Sequence, residues 1–264
     1  MLRRFFSSPR AVARGQPGWR AYAVGDVHGR LDLLDALLRD IVADHQSRAP
    51  ARGLVVLVGD LIDRGPDSAG VIDRLRRFDE AGLKVVGIAG NHEEVLLTIL
   101  SGDPEPIEGW LRFGGTETLR SYGADPEAIA ALPPEAAQRR ITELIPTEHR
   151  FFLEELGDSL RFGDYLFVHA GIRPGVPLDQ QSLRDLRWIR EPFLSDTRDH
   201  GVIVVHGHTI RDQVEEVGSR IGIDTGAYAS GRLTALAIEG DQRWQLSALE
   251  QPLVGKKKIG RAHV

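Results

Sequence analysis

Three short polar blocks in the first part of the chain carry side chains that can bind metal ions. They are Gly25–Gly29, Gly59–Gly65 and Gly90–Glu93, and each comes directly after an apolar run. Their Asp, Asn and His side chains offer carboxylate, amide and imidazole ligands, a set that suits two hard or borderline divalent cations. A pair of such cations can activate water toward phosphate esters. The blocks therefore indicate metal-dependent phosphoester chemistry.

The apolar run before each block predicts a buried strand, and a segment with helical character follows each block. The predicted strands are Arg20–Val24, Leu54–Val58 and Val85–Ala89. The predicted helices are Leu31–Ala43, a helix capped by Ser68 that runs to about Phe78, and Glu93–Leu100. This alternation is typical of a mostly parallel sheet with helical crossovers. Polar residues that follow such strands meet at the carboxyl edge of the sheet, where α/β proteins build their sites.

The segment 101–156 interrupts this alternation. It is rich in Pro, Gly and Glu, and its best periodic stretches predict short helices at Pro134–Ile141 and Thr147–Leu156. We expect it to be a helical insertion that borders the site. The short strands after it predict a second, mixed sheet packed against the first. These strands are Leu160–Phe162, Tyr165–His169, Val202–Val205, Arg220–Ile223, Leu233–Ile238 and Trp244–Leu249.

The composition argues against several classes of protein. The chain has 264 residues, a length that allows one large α/β domain or two small ones, and 42% of them are hydrophobic, which is enough to bury a core. Its formal net charge of −5 argues against a nucleic-acid partner. It has no cysteine, which excludes thiolate ligands, cysteine nucleophiles and disulfides. No apolar run approaches the roughly 20 residues of a transmembrane helix. We expect a cytoplasmic protein with no membrane partner and no obligatory protein partner.

Both ends are predicted to lie outside the folded domain, which we place at 20–252. Residues 1–19 are arginine-rich and free of acidic residues, which fits either a short basic arm or an organelle transit peptide, and we favour the arm. Residues 253–264 are expected to be a disordered and partly artefactual tail, because Ile259–Val264 resembles a translated sequencing adapter. We therefore do not count His263 among the candidate ligands.

Three further histidines lie at the ends of predicted strands, namely His169, His206 and His208. A single histidine on an apolar strand is more often a satisfied core residue than a metal ligand. In combination with the aspartates, asparagine and histidines of the first three blocks, a dinuclear metal site is the better interpretation.

These motifs resemble those of the metallophosphoesterase superfamily and, within it, the phosphoprotein phosphatase family. That family carries a GDxHG block, then GDxxDRG, then GNHE and two separated metal-binding histidines, and all of these are present. The likeness extends over Ala21–Glu239 and is greatest to the compact serine/threonine protein phosphatases of bacteria and bacteriophage lambda. It implies an α/β fold of two mixed β-sheets packed as a sandwich and flanked by helices, the calcineurin-like fold, with a helical insertion.

The resemblance also assigns metal ligands. One metal ion would be held by Asp26, His28 and Asp60. The other would be held by Asp60, Asn91, His169 and His208, so that Asp60 bridges the two ions. The family pattern leaves His206 out. Manganese is the expected metal, and iron, zinc or magnesium would suit the same ligands.

The remaining implied roles concern the substrate. Two divalent ions carry four positive charges, and the carboxylates of Asp26 and Asp60 cancel two of them. The two positive charges that remain match a phosphomonoester dianion. Metal ions roughly 3.5–4 Å apart lower the pKa of a shared water far below that of bulk water, toward about 7, which gives a hydroxide for in-line attack on phosphorus. His92, oriented by Asp63, would be the general acid for the leaving alkoxide. The phosphate oxygens would be held by Arg64 and Arg190.

The sequence thus predicts a metal-dependent phosphomonoesterase, specifically a serine/threonine protein phosphatase, that acts on a phosphoprotein or a small phosphoester. The main alternative is a symmetrical bis(5'-nucleosyl)-tetraphosphatase. Such enzymes typically carry GNHD and lack the Asp of DRG, so Glu93 and Asp63 favour the phosphatase. A phosphate-binding scaffold is disfavoured because no expected ligand is replaced. A nuclease or cyclic-nucleotide phosphodiesterase is disfavoured because Thr209-Ile210 lacks the second His of a GHxH ending.

Overall fold

The structure, a computed structural model, describes residues 12–250. The predicted tail at 253–264 lies outside the described residues, as does the predicted basic arm up to residue 11. Residues 12–19, the rest of that arm, run along the folded domain. There the Gly15 amide donates a hydrogen bond of 2.8 Å to the Gly240 carbonyl, and the Arg14 amide donates one of 2.8 Å to the Asp164 carboxylate.

Two five-stranded mixed sheets make up the centre of the described structure. The strands are β1 Trp19–Val24, β2 Arg52–Leu57, β3 Leu83–Gly87, β4 Ser159–Phe162, β5 Tyr165–Val168, β6 Ile203–His206, β7 Glu215–Val217, β8 Arg220–Gly222, β9 Arg232–Glu239 and β10 Gln242–Leu249. The first sheet has the order β10-β9-β1-β2-β3, and the second has the order β4-β5-β6-β8-β7. In the first sheet β1, β2 and β3 are parallel, and in the second sheet β5, β6 and β8 are parallel.

The placement of the last two strands corrects the sequence-based expectation. We predicted Leu233–Ile238 and Trp244–Leu249 as part of the second sheet, but β9 pairs antiparallel with β1 and β10 pairs with β9. The reason is that β9 is apolar on both faces: Ala235 and Ala237 pack on the helical side of the first sheet, and Leu236 and Ile238 face the second sheet. Strands that neighbour each other along the chain do not always share a sheet. The short strand β7 was not predicted.

The helices cover the outer faces of both sheets. They are α1 Leu31–Ser47, α2 Ser68–Arg76, α3 Asn91–Leu100, α4 Ile107–Trp110, α5 Thr116–Ser121, α6 Pro126–Ala130, α7 Pro134–Leu144, α8 Thr147–Glu154, α9 Leu183–Trp188 and α10 Ala227–Ser230. The stretch Leu111–Gly115, which is kinked at Gly114, joins α4 to α5, and Leu178–Gln180 is a 3₁₀ turn. The N-cap of α2 is Asp67, whose Oδ1 accepts a 2.7 Å hydrogen bond from the Gly70 amide, and not Ser68 as predicted.

Alternation along the strands divides the core into layers. In β1, Ala21 and Ala23 face the second sheet, while Tyr22 and Val24 face the helices. The outer face of the second sheet packs against Leu186 of α9. The layers are therefore helices, sheet, sheet and helix. Among residues 12–250, no helix has both the length and the apolar character needed to cross a bilayer.

Candidate active site

The predicted metal ligands lie together because the parallel strands of both sheets end at one edge of the sandwich. All six are buried. The strands β1, β2 and β3 lead directly into the three polar blocks, and β5 and β6 lead into the two later histidines. In sequence order the six are Asp26, His28, Asp60, Asn91, His169 and His208.

Asp60 lies at the centre of this arrangement. Its Oδ2 is 3.5 Å from His28 Nε2, and its Oδ1 is 3.4 Å from His169 Nε2. It therefore belongs to two groups of side chains whose ligand atoms lie close enough to hold a metal ion. The first group is His28, Asp60 and His92, and the second is Asp60, His169 and His208.

The second group is a cluster of hydrogen-bond acceptors without enough donors. His169 Nδ1 is 2.9 Å from the Val58 carbonyl and must donate to it, so its Nε2 carries a lone pair. That Nε2 lies 2.9 Å from Asn91 Oδ1 and 3.2 Å from His208 Nδ1. Burial lowers the pKa of His169, and burial followed by the charge of His169 lowers the pKa of His208 to about 3. Neutral imidazoles facing an amide oxygen and a carboxylate are what a cation site requires.

His28 is arranged in the same way. Its Nδ1 donates to the Ile62 carbonyl over 2.8 Å, which directs the lone pair of Nε2 toward Asp60. Burial lowers the pKa of His28 to about 3. Arg64 places its Nη1 2.9 Å from this Nε2, and its guanidinium lies 4.9 Å from the ring centre of Tyr228. The lone pair of His28 thus faces a positively charged group.

Asp26 is set apart from both groups of ligand atoms. Its two oxygens accept hydrogen bonds of 3.2 and 3.0 Å from the His208 amide. Burial, followed by the charges of Asp224 and Asp60, raises the pKa of Asp26 well above its usual value. Asp224 is a buried carboxylate that sequence reasoning missed, and burial raises its pKa to about 6. The sequence could have indicated Asp224 by its position, because it lies two residues after the end of β8, in the sequence Asp224-Thr225-Gly226.

His92 and Asp63 form a buried pair beside Asp60. His92 Nδ1 lies 2.7 Å from Asp63 Oδ2 and donates to it, so that Nε2 faces Asp60 Oδ2 at 3.9 Å. Burial alone would lower the pKa of His92, but the charge of Asp60 and the hydrogen bond to Asp63 outweigh it and raise that pKa above its ordinary value. His92 is thus a protonatable imidazole at the edge of the cluster.

A cavity of about 460 Å³ opens over this cluster. Its floor includes Asp60, Asn91, His92 and His208, and its described lining carries two arginines, Arg64 and Arg190. Its walls are apolar and include Val95, Trp110, Phe113 and Trp188. A larger cavity of about 650 Å³ shares only Arg64 with this set and is otherwise lined largely by acidic side chains and Arg30. The smaller cavity is therefore the one that places a substrate against the cluster.

Comparison with known proteins decides the family. The model of the calcineurin-like phosphoesterase family matches residues 20–232. The chain belongs to the calcineurin-like phosphoesterase family. The predicted family and fold class are confirmed, and this phosphoesterase is a hydrolase that acts on phosphoric ester bonds.

Relatives of this phosphoesterase carry different names. It is 30% identical over 233 residues to serine/threonine-protein phosphatase 1 of Salmonella typhimurium, an alignment that covers 84% of this chain and 93% of the relative. It is 27% identical to the asymmetrical bis(5'-nucleosyl)-tetraphosphatase PrpE of Bacillus subtilis, over 80% of this chain and 87% of the relative. A crystal structure provisionally described as a diadenosine tetraphosphatase superposes with a TM-score of 0.63 at 23% identity, over 90% of this chain and all of the other. The last likeness concerns the fold alone.

The family implies divalent metal ions, and the donor set of this phosphoesterase fits them. The oxygen atoms of Asn91 and Asp60 lie 2.9 and 3.4 Å from His169 Nε2, and none of these three atoms carries a hydrogen to share. His208 Nδ1 lies 3.2 Å from the same His169 Nε2. A divalent cation would satisfy these atoms, since oxygen and imidazole ligands are those such ions prefer.

The backbone of the phosphoesterase is strained at the site. Among residues 12–250, six residues other than glycine have positive φ, and five of them belong to the predicted site. They are His28, Asp60, Asp63, Arg64 and His208, with φ between 45° and 71°. This left-handed region is unfavourable for residues with a Cβ, and strain of this kind concentrates at functional sites.

Glu93 maintains one of these strained turns, a role that sequence reasoning missed. Its side chain is fully buried, and Oε2 accepts hydrogen bonds of 2.9 and 2.8 Å from the amides of Asp60 and Gly90. Oε1 accepts bonds from the amides of Leu61 and Ile62 at 2.8 and 3.3 Å. The carboxylate therefore joins the second polar block to the third.

We expect Glu93→Gln to destabilise the phosphoesterase by about 1–3 kcal/mol, because one amide N–H₂ would face backbone donors in place of an acceptor. The free energy of unfolding in urea measures this. The same change at Glu108, whose side chain is 87% exposed, is the matched control. Equal stability of the two variants would contradict the role given to Glu93.

Proposed function

We propose that this phosphoesterase is a metal-dependent phosphomonoesterase, and specifically a protein phosphatase for phosphoserine and phosphothreonine. The observation that carries this proposal is the His92–Asp63 pair, which directs a protonatable nitrogen into a cavity that also contains Asp60 and two arginines. A serine or threonine alkoxide is a poor leaving group, so its hydrolysis depends on such an acid.

His92 is proposed as the acid and not as a ligand, although it lies in the first group of side chains. His92 donates its Nδ1 hydrogen to Asp63. The pKa of His92 is raised, whereas burial lowers the pKa of His28 to about 3. Of the two imidazoles that face Asp60 from this side, His92 is the one whose other nitrogen donates to a carboxylate, which favours its protonated form, whereas His28 donates to the Ile62 carbonyl. In the reaction His92 would donate the Nε2 proton to the leaving oxygen.

The metal ions are proposed to be held by the side chains that the family resemblance assigns. Bound divalent ions would supply a water of lowered pKa as the nucleophile. Asp26, His28 and Asp60 would hold one ion. Asp60, Asn91, His169 and His208 would hold the other. We propose manganese as the metal, and the same oxygen and nitrogen donors would also accept iron, zinc or magnesium.

The charge of the cavity favours a monoester over a dinucleoside polyphosphate. Arg64 and Arg190 are the arginines of its described lining, and a guanidinium fork matches two phosphate oxygens. The adjoining cavity has four acidic side chains, Asp32, Asp35, Asp67 and Glu250, against two arginines, and Arg30 is ion-paired with Asp32 and Glu250, so it offers little attraction to additional phosphates. The apolar walls formed by Phe113 and Trp188 suit the side chains of a peptide. The relative named serine/threonine-protein phosphatase 1 is aligned over most of both chains.

A substrate panel tests the proposal. We expect hydrolysis of phosphoserine and phosphothreonine peptides to give the highest kcat/KM, measured by phosphate release with each of Mn²⁺, Fe²⁺, Zn²⁺ and Mg²⁺. Diadenosine tetraphosphate and ATP are the competing substrates, and Asp60→Asn protein prepared in parallel controls for contaminating phosphatases. Preferred conversion of diadenosine tetraphosphate to two ADP would overturn the proposal in favour of the symmetrical tetraphosphatase.

A further inference from the structure

The segment from Trp110 to Thr118, which links α4 to α5 through the kink at Gly114, holds the carboxylate of Asp63. The indole Nε1–H of Trp110 donates to both carboxylate oxygens, at 3.1 and 3.0 Å. The hydroxyl of Thr118 donates to Asp63 Oδ1 over 2.6 Å. With His92 at 2.7 Å on Oδ2, three side chains donate to one fully buried carboxylate.

The same segment also holds the backbone at this point. The Asp63 amide donates to Thr118 Oγ1 at 3.1 Å and to Ser68 Oγ at 2.9 Å, and the Arg64 amide donates to the Gly114 carbonyl at 3.1 Å. Asp63 and Arg64 have φ of 71° and 68°. Backbone strain of this kind persists only where the surroundings over-determine it. The contacts from the Trp110–Thr118 segment provide that constraint.

The two donors are themselves firmly placed. Trp110 is 3% exposed and Thr118 is fully buried. Gly115 packs so closely on the indole that a Cβ there would clash with the ring. Gly114 has φ of 121°, which a residue with a side chain rarely adopts. The chain kinks at Gly114 between α4 and α5, and this kink brings Trp110 and Thr118 to the same carboxylate.

We infer that Trp110 and Thr118 are positioning residues for the general acid: they fix the Asp63 carboxylate, which in turn fixes His92 with Nδ1 hydrogen-bonded and Nε2 toward the substrate. This inference rests on the proposed function, because it needs His92 to act as the acid. The single donor hydrogen of each side chain is engaged by Asp63. Trp110 also lines the cavity, so the wall that receives the leaving group is continuous with the support of the acid.

Losing the hydrogen bond from Trp110 or Thr118 to Asp63 should affect one step of the reaction, the protonation of the leaving oxygen by His92. With one of its three partners removed, Asp63 can rotate, and the acid spends less time in the orientation that protonates the leaving oxygen. Hydrolysis of an alkyl phosphate then slows, because its leaving group needs that proton. Hydrolysis of p-nitrophenyl phosphate is much less affected, because p-nitrophenolate leaves without protonation.

The test uses substitutions that remove the hydrogen-bonding group of one residue and change its shape little. Trp110→Phe removes the N–H and keeps an aromatic ring, and Thr118→Val removes the hydroxyl at nearly constant shape. Trp244→Phe is the matched control, since the Trp244 indole nitrogen is buried and has no hydrogen-bond partner among the described residues. Thr118→Ser restores a hydroxyl. For each protein, kcat is measured on a phosphoserine peptide and on p-nitrophenyl phosphate, with the thermal midpoint as a check of folding.

We expect Trp110→Phe and Thr118→Val each to lower kcat on the phosphoserine peptide by about 10- to 100-fold, and kcat on p-nitrophenyl phosphate by less than about threefold. Thr118→Ser and Trp244→Phe should remain close to the wild type on both substrates. Equal losses on the two substrates, or none, would overturn the inference. If Thr118→Val does not fold, the comparison of Trp110→Phe with Trp244→Phe decides the matter.

The His92→Asn variant, assayed on the same two substrates, separates this inference from the proposed function. If His92→Asn shows no leaving-group selectivity, the proposed acid is wrong and the inference fails with it. If His92→Asn is selective but Trp110→Phe and Thr118→Val are not, the acid stands and the positioning role alone is wrong.

Discussion

Replacement of Asp60 by asparagine is expected to abolish metal binding and turnover together. Asp60 is the side chain common to both candidate ligand groups, with one oxygen 3.5 Å from His28 and the other 3.4 Å from His169. The amide removes a negative charge from the centre of the cluster and substitutes an N–H₂ group for an acceptor. Metal analysis after dialysis and phosphate release from a phosphoserine peptide measure the two effects.

A binding assay that does not depend on turnover strengthens the Asp60 test. An ion that binds the folded protein alone raises its thermal midpoint, so Mn²⁺ should stabilise the wild type and leave Asp60→Asn unchanged. Asp179→Asn makes the same chemical change on an exposed side chain and should behave as the wild type. Two ions per chain together with undiminished turnover in Asp60→Asn would refute a shared site.

Replacement of His92 by asparagine is expected to leave metal binding intact and to lower kcat on a phosphoserine peptide by about 10²–10⁴-fold. Asparagine can still donate a hydrogen bond to Asp63, but it has no proton to transfer to the leaving oxygen. The loss should be much smaller on p-nitrophenyl phosphate. Steady-state kinetics on both substrates and metal analysis of the same preparations measure the prediction.

Two results for His92→Asn would contradict the proposed acid in different ways. Equal losses on the two substrates would show that His92 does not protonate the leaving group. Loss of one metal ion would make His92 a ligand, which its place in the first group with His28 and Asp60 allows geometrically. Glu105→Gln, an exposed substitution, controls for the handling of the variants.

Local pattern was sufficient for much of the fold. The first three strands and their helices were predicted to within a few residues, because apolar runs and helical spacing are read from consecutive positions. The assignment of β9 and β10 to the second sheet was wrong, since sheet membership depends on pairing with β1, more than 200 residues away in the register Arg20↔Glu239. The same pairing buries Arg20 of β1, whose guanidinium is 2.8 Å from the carboxylate of Glu239 in β9.

Some residues of the candidate site could likewise be predicted from the sequence, and others could not. Residues that directly follow strands, such as Asp60 and His169, could be identified because strand ends are visible in the sequence. Trp110 and Thr118 could not, since they lie in a segment whose pattern indicates only short helices, and nothing local relates them to Asp63. Sequence reasoning also assigned Arg64 to phosphate alone, whereas the structure places it against His28.

The left-handed backbone at five site residues has a consequence for how this enzyme can diversify. At His28, Asp60, Asp63, Arg64 and His208 a new side chain must satisfy both the chemistry and a conformation that few amino acids other than glycine, asparagine and aspartate tolerate. A substitution at these positions must therefore meet two requirements, one on the chemistry of the side chain and one on the backbone conformation. Phe113 and Trp188, at the rim, have ordinary φ and partly exposed side chains. Altered substrate choice, in natural lineages or in directed evolution, should therefore arise first at the rim, while the floor stays unchanged.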